Sequence, residues 1–385
     1  MTPLSAPSRL IRAITLAITL AITLAAALAM GPAAAAGPDP DDLARLRLPP
    51  GFTAQVFARV PGARSLVPVP DLGVVFVSTR GDTVHAVFDR DWDGTAEQVA
   101  TVARGLKVAN GIAWRDGYLY VAEQPRLVRF AARAPLRLPL GPPEVLFTGL
   151  PDKRSHGWRD AAFAPDGSLY VAVGSPCNIC MPRGLEGTIL RFAPPFDRPQ
   201  VFARGIRNSV GLAFHPATGE LFFTDNGADN MGDDRPPDEL NHAPRAGLTF
   251  GYPWYGGGTA RTPQFRDDTP PADAVPPVVA FGAHVAALGL HFYRGAMFPA
   301  EYRSDAFVAQ HGSWNRTEPD GYRLMRIRMD PSGRVLAAEK WAEGWLLEDG
   351  GRWGRPVDVA GHPDGSLLVS DDYAGVVYRI TYSKP

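Results

Sequence analysis

The sequence contains very little cysteine: Cys177 and Cys180 are the only two in 385 residues. Two thiolates leave a structural zinc site two ligands short. The Cys-Asn-Ile-Cys spacing also fails as a c-type haem attachment motif, because Met181 stands where that motif requires histidine. In an oxidising compartment, a disulfide between the two cysteines that closes a loop is the expected state.

An excess of charge is also missing, since 39 Lys and Arg residues stand against 40 Asp and Glu residues. The formal net charge of −1 gives no reason to expect a nucleic acid as partner. Long stretches with helical periodicity are absent too, whereas 40 Gly and 38 Pro residues are spread along the chain. This composition predicts many short strands joined by turns.

The first 36 residues differ from the rest of the chain. Arg9 and Arg12 precede an apolar run, 13–30, and three alanines ending at Ala36 match the small-residue pattern cut by signal peptidase. A retained membrane anchor is the alternative, because the run is close to the ~18 apolar residues of a spanning segment. We expect residues 1–36 to be a cleaved signal peptide, which would leave a periplasmic or secreted protein without stable membrane insertion.

A repeated unit runs through the remainder of the chain. Each copy has an apolar strand, a turn of the Pro-Asp-Gly or Asp-Gly kind, a second apolar strand and then a third. Copies start about 45–50 residues apart, which is typical of one four-stranded propeller blade, whereas a β-sandwich would not predict such a repeat. We therefore predict an all-β fold, a six-bladed β-propeller over 43–385. The clear copies begin at Gly111, Asp160, Gly211 and Asp358, a weaker copy begins at Leu66, and a looser one covers His291 to Ile327.

Function in a propeller is carried by the loops at the mouth of the central channel. His156 lies just ahead of a repeated strand, where a neutral imidazole could accept a proton; a loop histidine without a function is the alternative. Basic and amide side chains open other copies, and together they suit a ligand with several carboxylates, although each could be ordinary surface charge. These residues are Lys107, Asn110, Arg207, Asn208, Arg352 and Arg355.

Two further segments could contribute to a site. The stretch 225–241 is the densest in acidic residues and offers the oxygen ligands that calcium prefers, or it is a solvated loop. The run 311–316, His-Gly-Ser-Trp-Asn-Arg, follows a predicted strand, 306–310. Trp314 in this run, like Trp254, could stack on a sugar ring or a flat cofactor, or serve only in packing.

In combination these motifs resemble the glucose/sorbosone dehydrogenase family of enzymes that use pyrroloquinoline quinone (PQQ). The resemblance extends over about 48–380, and the run 311–316 and the cysteine pair are similar to the sorbosone dehydrogenase branch. The most specific runs are 156–170, 207–225, 238–241 with 250–253, and 355–371.

The resemblance implies roles for particular residues. His156 would be the general base that deprotonates the substrate hydroxyl, with hydride passing to PQQ. Arg207 and Asn208 match a pair near the cofactor quinone, where a cation steadies developing negative charge. Backbone carbonyls of Gly227-Ala228 would bind calcium, which acts as a Lewis acid. The remaining candidates for contacts with the cofactor are Asn110, Trp314, Arg316, Arg352 and Arg355.

Some positions depart from the family pattern. The lysine that glucose dehydrogenases place after the fifth blade's strand is replaced by the segment 313–316, and a family glutamine is replaced by Val210. The implied substrate is therefore an aldose or a sorbosone-like aldehyde rather than glucose in particular. A periplasmic cytochrome or a quinone would accept the electrons. The rival predictions are a calcium-dependent lactonase-type hydrolase and a non-catalytic exported binding propeller.

Overall fold

The computed structural model describes Pro38 and residues 40–384. The predicted signal peptide, 1–36, lies outside the described residues. Within the part that is described, no helix is both long enough and apolar enough to cross a membrane. The described chain begins with a short helix, α1 (Pro40–Ala44), and is otherwise built almost entirely from strands.

Six antiparallel sheets of four or five strands form six blades, which confirms the predicted six-bladed propeller. Every blade except the sixth is continuous in sequence, apart from one short strand within the blade 4 segment that joins blade 3. The strands of the first three blades and the preceding strand are β1 (Phe52–Arg59), β2 (Ala63–Val69), β3 (Val74–Thr79), β4 (Val84–Phe88), β5 (Gln98–Ala103), β6 (Gly111–Arg115), β7 (Tyr118–Ala122), β8 (Leu127–Ala131), β9 (Glu144–Phe147), β10 (Ala161–Phe163), β11 (Leu169–Val173), β12 (Thr188–Phe192) and β13 (Pro199–Arg204). The strands that follow are β14 (Gly211–Phe214), β15 (Leu221–Asp225), β16 (Pro237–Ala243), β17 (Leu248–Thr249), β18 (Val279–Ala283), β19 (Ala287–Phe292), β20 (Ala306–Gln310), β21 (Arg323–Met329), β22 (Val335–Ala342), β23 (Pro356–Gly361), β24 (Leu367–Asp371) and β25 (Val376–Tyr382).

The blades consist of β2–β5, β6–β9, β10–β13 with β17, β14–β16 with β18, β19–β22, and β23–β25 with β1. Strand β17 pairs in parallel with β13 and so adds a fifth strand to blade 3. Strand β20 covers the residues predicted from the sequence, 306–310.

The Asp-Gly turns explain why the repeat folds into hairpins. In blade 3, Asp166 accepts a hydrogen bond from the backbone amide of Ser168 at 2.8 Å. Gly167 then adopts a φ of +84°, a conformation that costs glycine little and other residues more. The equivalent glycine of blade 6, Gly365, has a φ of +94°. The Asp-Gly sequence of the repeat thus favours this turn in each blade that carries it.

Blade 6 is assembled from both ends of the chain. Strand β1 pairs antiparallel with β25, with Phe52 opposite Tyr382, and so becomes the outer strand of the last blade. This pairing removes two exposed strand edges and closes the ring.

The inner strands β2, β6, β10, β14, β19 and β23 surround the central channel. Trp158 packs there against a small apolar cluster of Val210, Leu288 and Val357, which come from blades 4, 5 and 6. Arg64 of blade 1 lies over the Trp158 ring at 4.8 Å from its centre. Trp158 and this cluster lie between two cavities of the channel. One, of about 500 Å³, is at one end of the channel, and the other, of about 240 Å³, is at the end where the inner strands begin.

Candidate active site

The 240 Å³ cavity brings together five residues that were predicted from the sequence. His156, Arg207, Asn208, Gly227 and Trp314 all line it, although 158 residues separate the first from the last. The cavity lies where the chain enters the inner strands of blades 3, 4 and 5. Its other lining residues are Asn226, Asp229, Asp238, His284 and Ala286.

A recurring hydrogen bond sets the chain's path into the inner strands. In three blades, a buried carboxylate at or just after the end of the second strand accepts a hydrogen bond from the backbone amide of a basic residue. This bond places the basic residues at equivalent positions around the channel mouth, as the sequence repeat predicts. The three bonds join Lys107 to Glu123 (2.9 Å), Arg207 to Asp225 (2.9 Å) and Arg355 to Asp371 (2.8 Å).

His156 is held in one orientation and one protonation state. Its Nδ1 lies 3.0 Å from the carbonyl oxygen of Ser175 and 2.9 Å from the Ser175 hydroxyl, which donates its own proton to the Cys177 carbonyl oxygen at 2.8 Å. Because a carbonyl oxygen can only accept a hydrogen bond, Nδ1 carries the proton and Nε2 keeps its lone pair. Burial, together with the nearby Arg207 guanidinium, lowers the pKa of His156 to about 3. The imidazole is therefore neutral at neutral pH.

The backbone around His156 is unusual. Its φ is +47°, in the left-handed region that non-glycine residues seldom adopt. Gly174 packs directly against it, since a Cβ at position 174 would overlap the His156 Cβ and lie 2.6 Å from its carbonyl oxygen. Glycine at 174 is thus a requirement of the close approach between the His156 loop and the end of β11.

Arg207 is fixed by the protein on nearly every side. The residue is 3% exposed, and four of its five side-chain N–H groups donate hydrogen bonds. The acceptors are the carbonyl and side-chain oxygens of Asn178, the carbonyl of Asn226 and the carboxylate of Asp229. The guanidinium is therefore a fixed positive charge in the cavity wall, paired with Asp229 at 2.7 Å.

Cys177 and Cys180 are joined by a disulfide, and the loop that they close supports Arg207. Asn178, inside this loop, provides two of the acceptors for the guanidinium. The Tyr252 hydroxyl clamps the same loop, because it accepts a hydrogen bond from the Cys180 amide at 3.1 Å and contacts the Asn178 carbonyl oxygen at 3.1 Å. The disulfide thus belongs to the support of the cavity.

Acidic side chains are concentrated beneath the cavity on strands β15 and β16. Burial raises the pKa of Asp225 to about 7 and the pKa of Asp238 to about 6. Burial and the neighbouring Asp225 carboxylate raise the pKa of Glu239 to about 8. The side-chain oxygens of Asn208 and Asn241 are buried without a hydrogen-bond partner in the described structure. These oxygens lack hydrogen-bond partners, and burial disfavours ionisation of the neighbouring carboxyl groups. A bound cation would stabilise both, because it accepts oxygen ligands and favours the carboxylate form.

The other residues predicted to contact a cofactor do not line this cavity. Asn110 is 1% exposed, and its amide bridges the Arg64 side chain at 2.7 Å and the Arg159 carbonyl at 2.6 Å. Arg316 donates hydrogen bonds to the carbonyl oxygens of Asp233 and Glu318. Both residues therefore brace loops around the channel mouth.

Arg352 and Arg355 lie farther around the rim. Arg352 is exposed, with its guanidinium over the rings of Tyr322 and Tyr373. Arg355 donates to the carbonyl oxygen of His311 at 3.2 Å, on the segment that leads to Trp314. Ala228 lies outside the cavity lining, and its amide donates to the carbonyl of Gly256 at 2.7 Å.

The sequence analysis missed His284. Its Nε2 lies 2.8 Å from the carbonyl oxygen of Gly232, and its φ is +60°. It precedes β19 by three residues, much as His156 precedes β10, so the position ahead of an inner strand could have identified it. The fifth copy of the repeat is weak, and the sequence predicts that it starts at His291, which lies inside β19. The true start of this inner strand, and with it the position of His284, could therefore not be recognised.

Comparisons with known proteins agree with the fold. The sequence model of the family described as Glucose / Sorbosone dehydrogenase matches residues 123–379, about two thirds of the chain. The chain is 30% identical over 362 residues to an uncharacterized protein of Borreliella burgdorferi, covering 88% of this chain and 91% of that protein.

Two solved structures share the architecture. One is the holo form of the PQQ domain of pyranose dehydrogenase from Coprinopsis cinerea, with a TM-score of 0.72, 21% identity, and coverage of 87% of this chain and 97% of that one. The other is the calcium structure of a Trichoderma reesei protein of Carbohydrate-Active Enzymes Family AA12, with a TM-score of 0.74, 20% identity, and coverage of 88% and 97%.

The fold is that of a six-bladed β-propeller, and the match to the family model defines the class as that of sugar dehydrogenases. The chain belongs to the glucose/sorbosone dehydrogenase family.

Proposed function

We propose that this protein is an exported, PQQ- and calcium-dependent dehydrogenase that oxidises an aldose sugar or a sorbosone-like aldehyde. The observation that carries the proposal is a neutral His156, with its free lone pair on Nε2, in the wall of a cavity that also holds Arg207 and Trp314. Membership of the glucose/sorbosone dehydrogenase family supports the same reaction class.

The residues present fit a flat, polyanionic cofactor. Trp314 is 73% exposed at the cavity and offers an aromatic face on which a planar ring system could stack. Arg352 and Arg355 on the rim are suited to carboxylates, which guanidinium groups bind in pairs of hydrogen bonds. When bound, PQQ supplies an ortho-quinone that accepts two electrons from the substrate.

The residues also fit calcium. Asn208, with its unpartnered side-chain oxygen, lines the cavity together with Gly227 and Asp238, and the buried Asp238 carboxylate accepts a hydrogen bond from the Gly227 amide at 2.7 Å. Oxygen atoms of these kinds are calcium ligands. When bound, calcium supplies a Lewis acid for a carbonyl oxygen.

The proton chemistry follows from the surroundings of His156. Nε2 accepts the proton of the substrate hydroxyl, while the proton on Nδ1 remains hydrogen-bonded to the Ser175 carbonyl oxygen and fixes the ring. The charge of Arg207 disfavours the imidazolium, so an anionic cofactor in the cavity would offset that charge and raise the basicity of His156. The base would therefore be strongest in the loaded enzyme.

Export would place this reaction in the periplasm or outside the cell, with the signal peptide 1–36 removed. A periplasmic cytochrome or a quinone would then take the electrons. The disulfide between Cys177 and Cys180 is in keeping with an oxidising compartment.

The test measures whether the purified protein reduces an electron-accepting dye. PQQ and calcium are added together or singly, against a panel of aldoses, sorbosone and simple aldehydes. We expect reduction only when both are present and a substrate from this panel is supplied. Absence of PQQ binding, or hydrolysis of lactones by the PQQ-free protein, would replace this proposal with the lactonase or binding-propeller alternatives.

A further inference from the structure

An acidic loop on blade 1 forms a second oxygen-rich cluster, and it precedes in sequence all the residues that line the cavity. It connects β4 to β5 and reads Asp-Arg-Asp-Trp-Asp-Gly-Thr-Ala-Glu over 89–97. Asp89, Asp91 and Glu97 each place a carboxylate oxygen within 4.8 Å of the other two. Two oxygens on one calcium ion, with bonds of about 2.3–2.6 Å, can be up to roughly this far apart.

Asp89 provides the independent sign of a ligand. The residue is completely buried, yet its Oδ1 has no hydrogen-bond partner in the described structure. Its Oδ2 is occupied, because it accepts from His362 Nε2 and from the Gly94 amide, each at 3.0 Å. A buried carboxylate oxygen without a partner is costly unless something satisfies it.

The order of residues in the loop matches the start of a calcium-binding loop. Such loops carry acidic ligands at positions 1, 3 and 5 and a glycine at position 6, which permits a sharp turn. Here these positions are Asp89, Asp91, Asp93 and Gly94, and Glu97 falls at position 9. Gly94 has a φ of +84°, and a Cβ there would overlap the Arg379 guanidinium, so glycine is required.

The hydrogen bonds that Glu97 already accepts leave lone pairs on its carboxylate oxygens that could bind an ion. Glu97 accepts from the Arg90 amide at 3.0 Å and from the Arg90 guanidinium at 3.1 Å, one bond to each oxygen. Each carboxylate oxygen retains a further lone pair. Asp91 is exposed, so water could complete the shell of ligands.

We propose that the loop 89–97 is a calcium site that fastens blade 1 to blade 6. The loop contacts blade 6 at three points: Asp89 on His362, the Trp92 ring at 5.0 Å from the His362 ring, and Gly94 against Arg379. An ion that binds Asp89, Asp91 and Glu97 would hold this loop in the conformation that makes those contacts. Its effect is on the stability of the closed ring, separate from chemistry at the cavity.

Trp92 makes the site directly observable. Terbium(III) takes the place of calcium in oxygen sites and emits when a nearby tryptophan transfers energy to it. The PQQ-free, chelator-treated full-chain protein is titrated with terbium under tryptophan excitation. Asp91→Asn is compared with Asp116→Asn, which makes the same change on an exposed turn of blade 2.

We expect Asp91→Asn to weaken the loop's affinity for terbium about tenfold or more, with Asp116→Asn unchanged. Trp92→Phe should remove the part of the sensitised emission that Asp91→Asn also loses and should keep calcium binding. The emission that remains belongs to the proposed cavity site, which Trp314 lines. Calcium in excess should raise the melting temperature of the wild type, Asp116→Asn and Trp92→Phe by ~2–5 °C more than that of Asp91→Asn.

Emission that persists undiminished in Asp91→Asn or in Trp92→Phe would assign the ion to another site and overturn the proposal. An equal calcium response of Asp91→Asn and wild type in melting temperature would do the same. Because no step uses PQQ or substrate, failure here is distinct from failure of the proposed enzymatic activity.

Discussion

At the scale of single residues, His156 shows how a weakly basic side chain is prepared for one task. The Ser175 carbonyl selects the tautomer, burial and the Arg207 charge suppress the charged form, and Gly174 leaves room for the strained backbone. Such pKa tuning is common where a side chain must exchange a proton.

Replacing His156 by asparagine should lower turnover about a hundredfold or more, the usual contribution of a general base. Asparagine tolerates the positive φ at this position, so we expect the variant to fold and to bind PQQ nearly as the wild type does. Steady-state dye reduction and a PQQ titration measure the two effects. Full turnover in the variant would remove His156 from the chemistry.

The same residue sets the pH dependence of the reaction. The neutral imidazole is the active form, so activity is lost as pH falls through the pKa in the folded protein. Since that pKa is lowered to about 3 in the cofactor-free protein, the imidazole should stay neutral there well below pH 6.5, the ordinary pKa of histidine. The acid limb of kcat/KM, measured with PQQ bound, should lie at a higher pH than this titration, because the anionic cofactor offsets the Arg207 charge. NMR titration of the imidazole in the PQQ-free protein measures the first value, and a midpoint at 6.5 there would contradict this assignment.

At the scale of elements, the cavity depends on the junction between the His156 loop and the end of β11. Gly174→Ala would force the two backbones apart, because its Cβ would overlap His156. We expect a fall in turnover of about tenfold or more with far-ultraviolet circular dichroism unchanged, since displacements of about 1 Å can cost that much. Gly141→Ala is the control, because a Cβ at 141 meets nothing within 4 Å. Equal activities of the two variants would contradict the role of this junction.

The elements also show how far sequence reasoning extends. The Asp-Gly turns and strand pairs identify the blades, because the turn chemistry is local. Residues ahead of the inner strands, such as His156 and Arg207, could be placed at the channel mouth for the same reason. Asn110 was expected at the cavity, but its bonds to Arg64 and Arg159 depend on contacts between three blades, which no local pattern records.

At the scale of the whole molecule, buried carboxyl groups link stability to pH. Burial raises the pKa of Asp160 to about 8, and the Asp358 carboxylate across the channel adds to the increase. The folded state therefore keeps a proton that the unfolded state, with a pKa of 3.8, releases. The contribution of this group is present at low pH and lost as pH rises through about 8.

Asp160→Asn should cancel that loss. The variant's melting temperature, compared with wild type, should rise progressively as pH increases from 5 to 9, by a few degrees in all. Asp330→Asn is the control, because Ser332 and Arg334 hold the pKa of Asp330 below its usual range. Asp330 is thus ionised in both states from pH 5 to 9, and this variant's difference from wild type should not change with pH. Melting curves across this pH range measure both. A constant difference between Asp160→Asn and wild type would show that Asp160 does not titrate on folding.

The pairing of β1 with β25 has a consequence for biogenesis. Blade 6 takes its outer strand from the start of the propeller and its neighbour from the last residues of the chain. A ribosome-bound chain that lacks 376–382 therefore cannot complete the ring, however much of it has emerged. Closure of the ring therefore follows the synthesis of β25, whereas the strands of blades 1 to 5 are all available before it.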